Sequence, residues 1–160
     1  MITIQERDFD AAASQQALRT RAAGDMGAVV TFVGYVRDYA PGEATSTLFL
    51  DHYPGMCERE LEAIDREARS RWPLTDTEII HRVGALGHGE QIVFVAVASA
   101  HRGDAFRGCE FIIDALKTRA PFWKRETLAD GKDFWVEQRA TDSQRTAQWA
   151  AAPSPSKEPS

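Results

Sequence analysis

Pro121 ends the most regular helical pattern in this chain, and that stop constrains much of what surrounds it. Upstream, "GDAFRGCEFIIDALKTR" (103–119) sets Ala105, Phe106, Cys109, Ile112, Ile113 and Leu116 on one helical face, with Arg107, Glu110, Asp114 and Lys117 largely off it. A proline disfavours helical geometry in the residue before it, so this helix is expected to stop at Arg119 or Ala120. Downstream, "FWKRET" and "DFWVEQ" flank the turn letters "LADGK" and read as a short hairpin. Cys109, on the apolar face, reads as a packed core thiol rather than a nucleophile.

The remaining pattern alternates less regularly. "GAVVTFVGYVR" (27–37), rich in β-branched and aromatic residues, reads as a mostly buried strand with Arg37 at its exit. "DYAPGEATST" (38–47) reads as a surface loop of the kind that covers a ligand. "LFLDHY" resumes a strand. "CERELEAIDREARSRW" then repeats Leu61, Ile64 and Ala68 at helical spacing amid charges, ending near Pro73. "TEIIHRVG" and "QIVFVAVASA" are two further strands, joined as a hairpin through "ALGHGE". "TDSQRTAQW" is expected to be a terminal helix begun by Thr141 or Asp142. The first 26 residues carry no assignment. The domain is expected to run over 1–149, with 150–160, "AAPSPSKEPS", a disordered tail. Without β-α-β-α alternation and without GxGxxG or GxxxxGK[ST], the pattern predicts an α+β sandwich.

Composition narrows the partners. A formal net charge of -5 over 160 residues argues against a general nucleic-acid binder, which needs a broad cationic surface. No apolar run reaches the length of a membrane span, and "MITIQERDFD" is too polar for a signal peptide, so a soluble, cytoplasmic protein is expected. Cys57 and Cys109 stand far apart with no CxxC pair, which fits a reducing compartment. His52, His81 and His88 are scattered and suggest no metal site.

Cations nevertheless gather in "LKTRAPFWKRE" (116–126), which holds Lys117, Arg119, Lys124 and Arg125 before its first acid, Glu126. Lys117 falls in the last turn of a helix, where the dipole already favours a cation. Lys124 has no such reason: it lies past the proline corner, with Phe122 and Glu126 on its own side of a strand. The corner can fold both amines toward one pocket. Aromatic walls and neighbouring cations disfavour the charged form of an amine, which suits it to proton transfer. His101 and Arg102 follow an apolar strand and precede a helix, a junction at which an anion can be held. With Arg37, these ends suggest a basic pocket in an acidic envelope, fit for a small phosphorylated molecule.

Taken together, "GAVVTFVGYVR" (27–37), "HYPGM" (52–56), "RWPL" (71–74), "IHRVG" (80–84), "IVFVAVASAHR" (92–102), "LKTRAPFWKRE" (116–126) and "WVE" (135–137) resemble the large, catalytic subunit of molybdopterin synthase. The resemblance implies an α/β hammerhead-like sandwich with an additional antiparallel β subdomain. It implies sulfur transfer: conversion of cyclic pyranopterin monophosphate to molybdopterin, with sulfur supplied by the C-terminal thiocarboxylate of a small ubiquitin-like subunit, and no cofactor. The family's catalytic lysines fall on Lys117 and Lys124. Its substrate-binding positions fall on Arg37, His101 and Arg102, with Arg125 and Glu126 beside the second lysine. A homodimer within a heterotetramer is implied as well. The rival reading from the residues alone is a non-enzymatic anion-binding or protein-docking module, in which the lysines only steer an acidic partner.

Overall fold

The computed structural model describes residues 1–37, 45–128, 130–136 and 140–151. The loop expected over 38–47 lies mostly outside the described residues, as does the expected tail from 152 on. In chain order the elements are β1 (Ile2–Gln5), α1 (Ala11–Arg21), β2 (Ala28–Tyr35), β3 (Thr45–His52), α2 (Met56–Arg71), β4 (Leu74–Arg82), β5 (Gly84–Leu86), β6 (Gln91–Ser99), α3 (Arg102–Arg119), β7 (Phe122–Leu128), β8 (Asp133–Trp135) and α4 (Ala140–Ala147). A 3-10 turn, Gln148–Ala151, closes the series, taking in the first two residues of the expected tail.

Two four-stranded sheets result, with strand orders β1-β4-β6-β2 and β5-β3-β7-β8. The first is covered on both faces, and β6 supplies both cores because its side chains alternate. Val95 and Val97 face Leu61, Ile64 and Ala68 of α2 and Cys109 and Ile112 of α3. Phe94, Ala96 and Ala98 face Leu18 of α1 together with Phe9. Gly108 lets α3 sit close on this sheet: a Cβ there would come within 3.0 Å of Leu74 Cδ1. The second sheet closes over Val36, Leu48, Leu50 and Leu86. This is the expected α+β body with an added antiparallel sheet.

Several expectations change in detail. The segment before residue 27 contributes β1, which runs parallel to β4, and α1, capped by Asp10 accepting from the Ala13 amide at 3.0 Å. The turn letters "ALGHGE" contain part of β5, which leaves the β4–β6 hairpin and pairs with β3 in the other sheet. β2 is not a mostly buried strand. It lies at the edge of its sheet, paired among the described strands with β6 alone, so that Val29, Val30 and Val33 reach the two cores while Thr31, Phe32 and Tyr35 are exposed. Phe106 is 62% exposed although it shares the apolar letters of α3, while Asp114 is buried. The reason is the C-terminal segment: Arg145, Gln148 and Trp149 all donate to the Asp114 carboxylate, at 3.0, 3.2 and 2.8 Å. That contact turns the buried arc of α3 toward Phe111, which meets Trp149 edge-on. Among the described residues no helix is long and apolar enough to cross a membrane.

Candidate active-site cleft

Helix α3 ends where proline chemistry requires. Ala120 has left the helix at φ -68 and ψ 124, and the Phe122 amide bonds back to the Ala120 carbonyl at 2.8 Å. The buried Cys57 thiol donates to the Pro121 carbonyl from behind, at 3.5 Å. The chain therefore reverses direction in a fixed corner. Lys117 on the last turn of α3 and Lys124 on β7 both reach one cleft of about 550 Å³, as the sequence pattern suggests. Arg37, just past the end of β2, lines it too.

The four cations of 116–126 divide between site and scaffold. Arg119 leaves the cleft and bonds Glu60 at 2.9 Å and Glu67 at 2.7 Å, tying the end of α3 to α2. Burial works against the Glu67 carboxylate, but hydrogen bonds from Arg119 and Arg71 outweigh it and hold its pKa below the ordinary value. Arg125 alternates to the opposite side of β7 from Lys124, over the Phe49 ring at 5.1 Å and 3.3 Å from Asp133. Glu126 is fully buried, opposite Leu48 of β3 and Phe134 of β8. Neither Arg125 nor Glu126 lines the cleft.

His101 and Arg102 stand at the far end of α3. Fifteen residues of helix separate Arg102 from Lys117, about 22 Å at 1.5 Å per residue. Both are exposed, and one chain does not bring them to the lysines.

The structure adds His81, whose letter in "IIHRVG" gives no sign of it because strand alternation alone assigns no role. Its ring stacks on Phe122 with centroids 3.9 Å apart and planes 11° from parallel, and it forms part of the cleft wall. Its pKa is lowered to about 4, first by burial, against the bond to the Arg82 carbonyl, and further by the charges of Lys124, His52 and Lys117. Thr141 and Asp142 of α4 also line the cleft, brought there by the Asp114 contact. Cys109 has no part in it: burial, then the Glu110 charge, push its thiol up to about 12, so it is inert packing.

A three-layer α+β body with a second antiparallel sheet, and two lysines and an arginine lining one partly apolar cleft, defines a class: two-sheet α+β proteins with a cationic cleft. Comparison with known proteins gives the family. The chain belongs to the MoaE family, whose model, described as MoaE protein, matches residues 4–119. It is 51% identical over 148 residues to the molybdopterin synthase catalytic subunit of Pseudomonas aeruginosa, covering 92% of this chain and 97% of that one. Among solved structures, a molybdopterin biosynthesis MoaE protein from Burkholderia ambifaria superposes with a TM-score of 0.80 at 49% identity, over 95% of this chain and 99% of that one. A molybdopterin synthase from Staphylococcus aureus gives 0.76 at 33% identity, over 84% and 96%.

Proposed function

We propose that this chain is the catalytic half of a molybdopterin synthase, and that the cleft is where cyclic pyranopterin monophosphate meets the thiocarboxylate tail of a small ubiquitin-like subunit. The observation that carries the reading is the convergence of Lys117 and Lys124 on one cleft from the two sides of the Pro121 corner. As sulfur adds and oxygen leaves, charge develops and protons must move; paired amines beside Arg37 can do both. The apolar wall, with Phe122 and Leu116, keeps water from competing.

His101 and Arg102 enter this reading only through a second copy. If they bind substrate, the 22 Å between them and Lys117 in one chain requires that they serve the cleft of a partner. The uncovered edge strand β2, with Tyr35 56% exposed beside the cleft, supports a homodimer, and two small subunits then complete a heterotetramer. The functional unit spans 1–149, since Thr141 and Asp142 line the cleft beyond the family match at 119. Free, buried cysteines support a cytoplasmic setting.

The test is reconstitution. The protein is incubated with cyclic pyranopterin monophosphate and thiocarboxylated small subunit, and molybdopterin is read as its oxidised fluorescent derivative. Product from the wild type and almost none from Lys124→Ala is expected. A folded complex that makes no product would leave the docking-module reading standing instead.

A further inference from the structure

We propose that His81 is a substrate-binding residue of this cleft, its Nε2 lone pair accepting a hydrogen bond from an N–H of the pterin ring system. The inference rests on the cleft being the pterin site, and goes beyond it by assigning a ring contact to a residue outside the cationic set.

The geometry fixes one tautomer. Nδ1 lies 2.8 Å from the Arg82 carbonyl oxygen, which can only accept, so Nδ1 carries the proton. The ring is neutral at physiological pH, because burial and the nearby positive charges disfavour a second proton. Nε2 is then an acceptor. Stacking on Phe122 holds the ring plane, and among the described residues no hydrogen bond reaches Nε2.

The chemistry of the neighbours says what such an acceptor is for. Lys117, Lys124 and Arg37 offer the cleft donors only, which suits a phosphate and the oxyanions of reaction. The cyclic phosphate of the proposed substrate is a diester, ionised at neutral pH, with oxygens that accept and no proton to give, so Nε2 has nothing to offer it. A reduced pterin presents ring N–H groups and a flat pyrimidine half. Nε2 can take one N–H while the Phe122–His81 stack presents an aromatic wall to the ring. His81, beside Lys117 and Lys124, thus takes an N–H of the heterocycle while the amines hold its oxyanions; the Asp142 carboxylate is another acceptor of the same cleft.

Two substitutions separate binding from support. His81→Asn places an amide N–H near the Nδ1 position and keeps the bond to the Arg82 carbonyl while deleting Nε2. His81→Gln reaches the Nε2 position with a carbonyl oxygen and gives up the Nδ1 donor. In the reconstituted complex, His81→Asn should raise KM for cyclic pyranopterin monophosphate about three- to tenfold, the worth of one neutral hydrogen bond. Its kcat and its KM for the small subunit should stay within about twofold, and His81→Gln should stay within about twofold throughout. Equal KM values for the two variants, or a KM that tracks Tm across them, would overturn the proposal. Wild-type protein gives an independent reading through imidazole nitrogen NMR. Nε2 should resonate as an unprotonated nitrogen and shift when substrate saturates the complex; no shift at saturation would also overturn it. Lys124→Ala is assayed alongside. A silent His81→Asn beside an inactive Lys124→Ala refutes the His81 role alone, whereas an active Lys124→Ala refutes the reading of the cleft and His81's role with it.

Discussion

Lys117 and Lys124 differ in what their backbone gives them, yet both line one cleft, and the proposed reaction would have both meet one substrate. Lys117 stands in the last turn of α3, where a cation is stabilised by the helix dipole, and Lys124 on β7 beyond the corner. Replacing either with alanine should lower kcat at least about a hundredfold with little change in KM, as expected for groups acting on the transition state. Arg37→Ala should instead raise KM for the phosphorylated substrate about tenfold or more, a lost charge-assisted hydrogen bond being worth roughly 1.5 to 3 kcal/mol. Single-residue kinetics in the reconstituted complex check both. His81 makes a separate prediction about stability. Its folded pKa of about 4 lies below the ordinary 6.5, so the unfolded chain binds more protons between those values. The stability due to a neutral His81 is complete above about pH 6.5 and is lost as pH falls toward 4, amounting to about 2 to 3 kcal/mol by pH 4.5. Lys124, His52 and Lys117 face the ring and add to the effect. Urea midpoints at pH 7 and pH 4.5 should fall further apart for wild type than for His81→Asn.

At the scale of elements, α3 is held at its two flanks by unequal means. Toward α2, the contacts of Arg119 with Glu60 and Glu67 are about one-third exposed, where ion pairs contribute about 0 to 1 kcal/mol each. Arg119→Ala, which removes both, should therefore change stability by less than about 2 kcal/mol and leave the rate alone. Toward α4, the Asp114 carboxylate is buried and gathers three donors, while Thr118 and Thr146 share a hydroxyl bond at 2.9 Å. Asp114→Ala removes the common acceptor and should cost roughly 1.5 to 3 kcal/mol. Hydrogen exchange should show the loss concentrated in residues 140–151. Because Thr141 and Asp142 line the cleft, the same variant should raise KM for substrate; unchanged exchange over 140–151 would show that the segment is held by other contacts.

For the whole molecule, the separation along α3 turns a site question into an assembly question. In the proposed two-fold assembly, each cleft would take its lysines from one copy and His101 and Arg102 from the other. Mixing Lys124→Ala chains with Arg102→Ala chains should then restore activity that neither has alone. Random reassortment makes half of the dimers mixed, each with one intact cleft of two, so recovery approaches about a quarter of wild type. No recovery, with exchange of chains verified by mass, would confine each cleft to a single copy. Light scattering should show a dimer that binds two small subunits.

The sequence by itself determined those elements whose pattern is local. Leu61, Ile64 and Ala68 at helical spacing define the buried stripe of α2, and Pro121 defines the end of α3 and the corner that turns Lys124 back toward Lys117. The lysine pair was legible for the same reason: two short stretches joined by a rigid corner have few ways to lie. Only the tertiary structure decided what depends on distant partners. β1 exists because β4 lies beside it, 77 positions away in register, and Asp114 is buried because Trp149 and Arg145 return to cover it. His81 is buried and its charged form disfavoured only in the folded chain, where Phe122, 41 positions on, stacks against its ring and Lys117 and Lys124 come near it. Arg119 and Arg125 carry the same charge as the lysines and adjoin them in sequence, yet the strand's alternation and the acids of α2 and β8 draw them away. Charge and spacing can nominate a basic pocket, but which cations face it is set by packing between elements that the chain brings together from far apart.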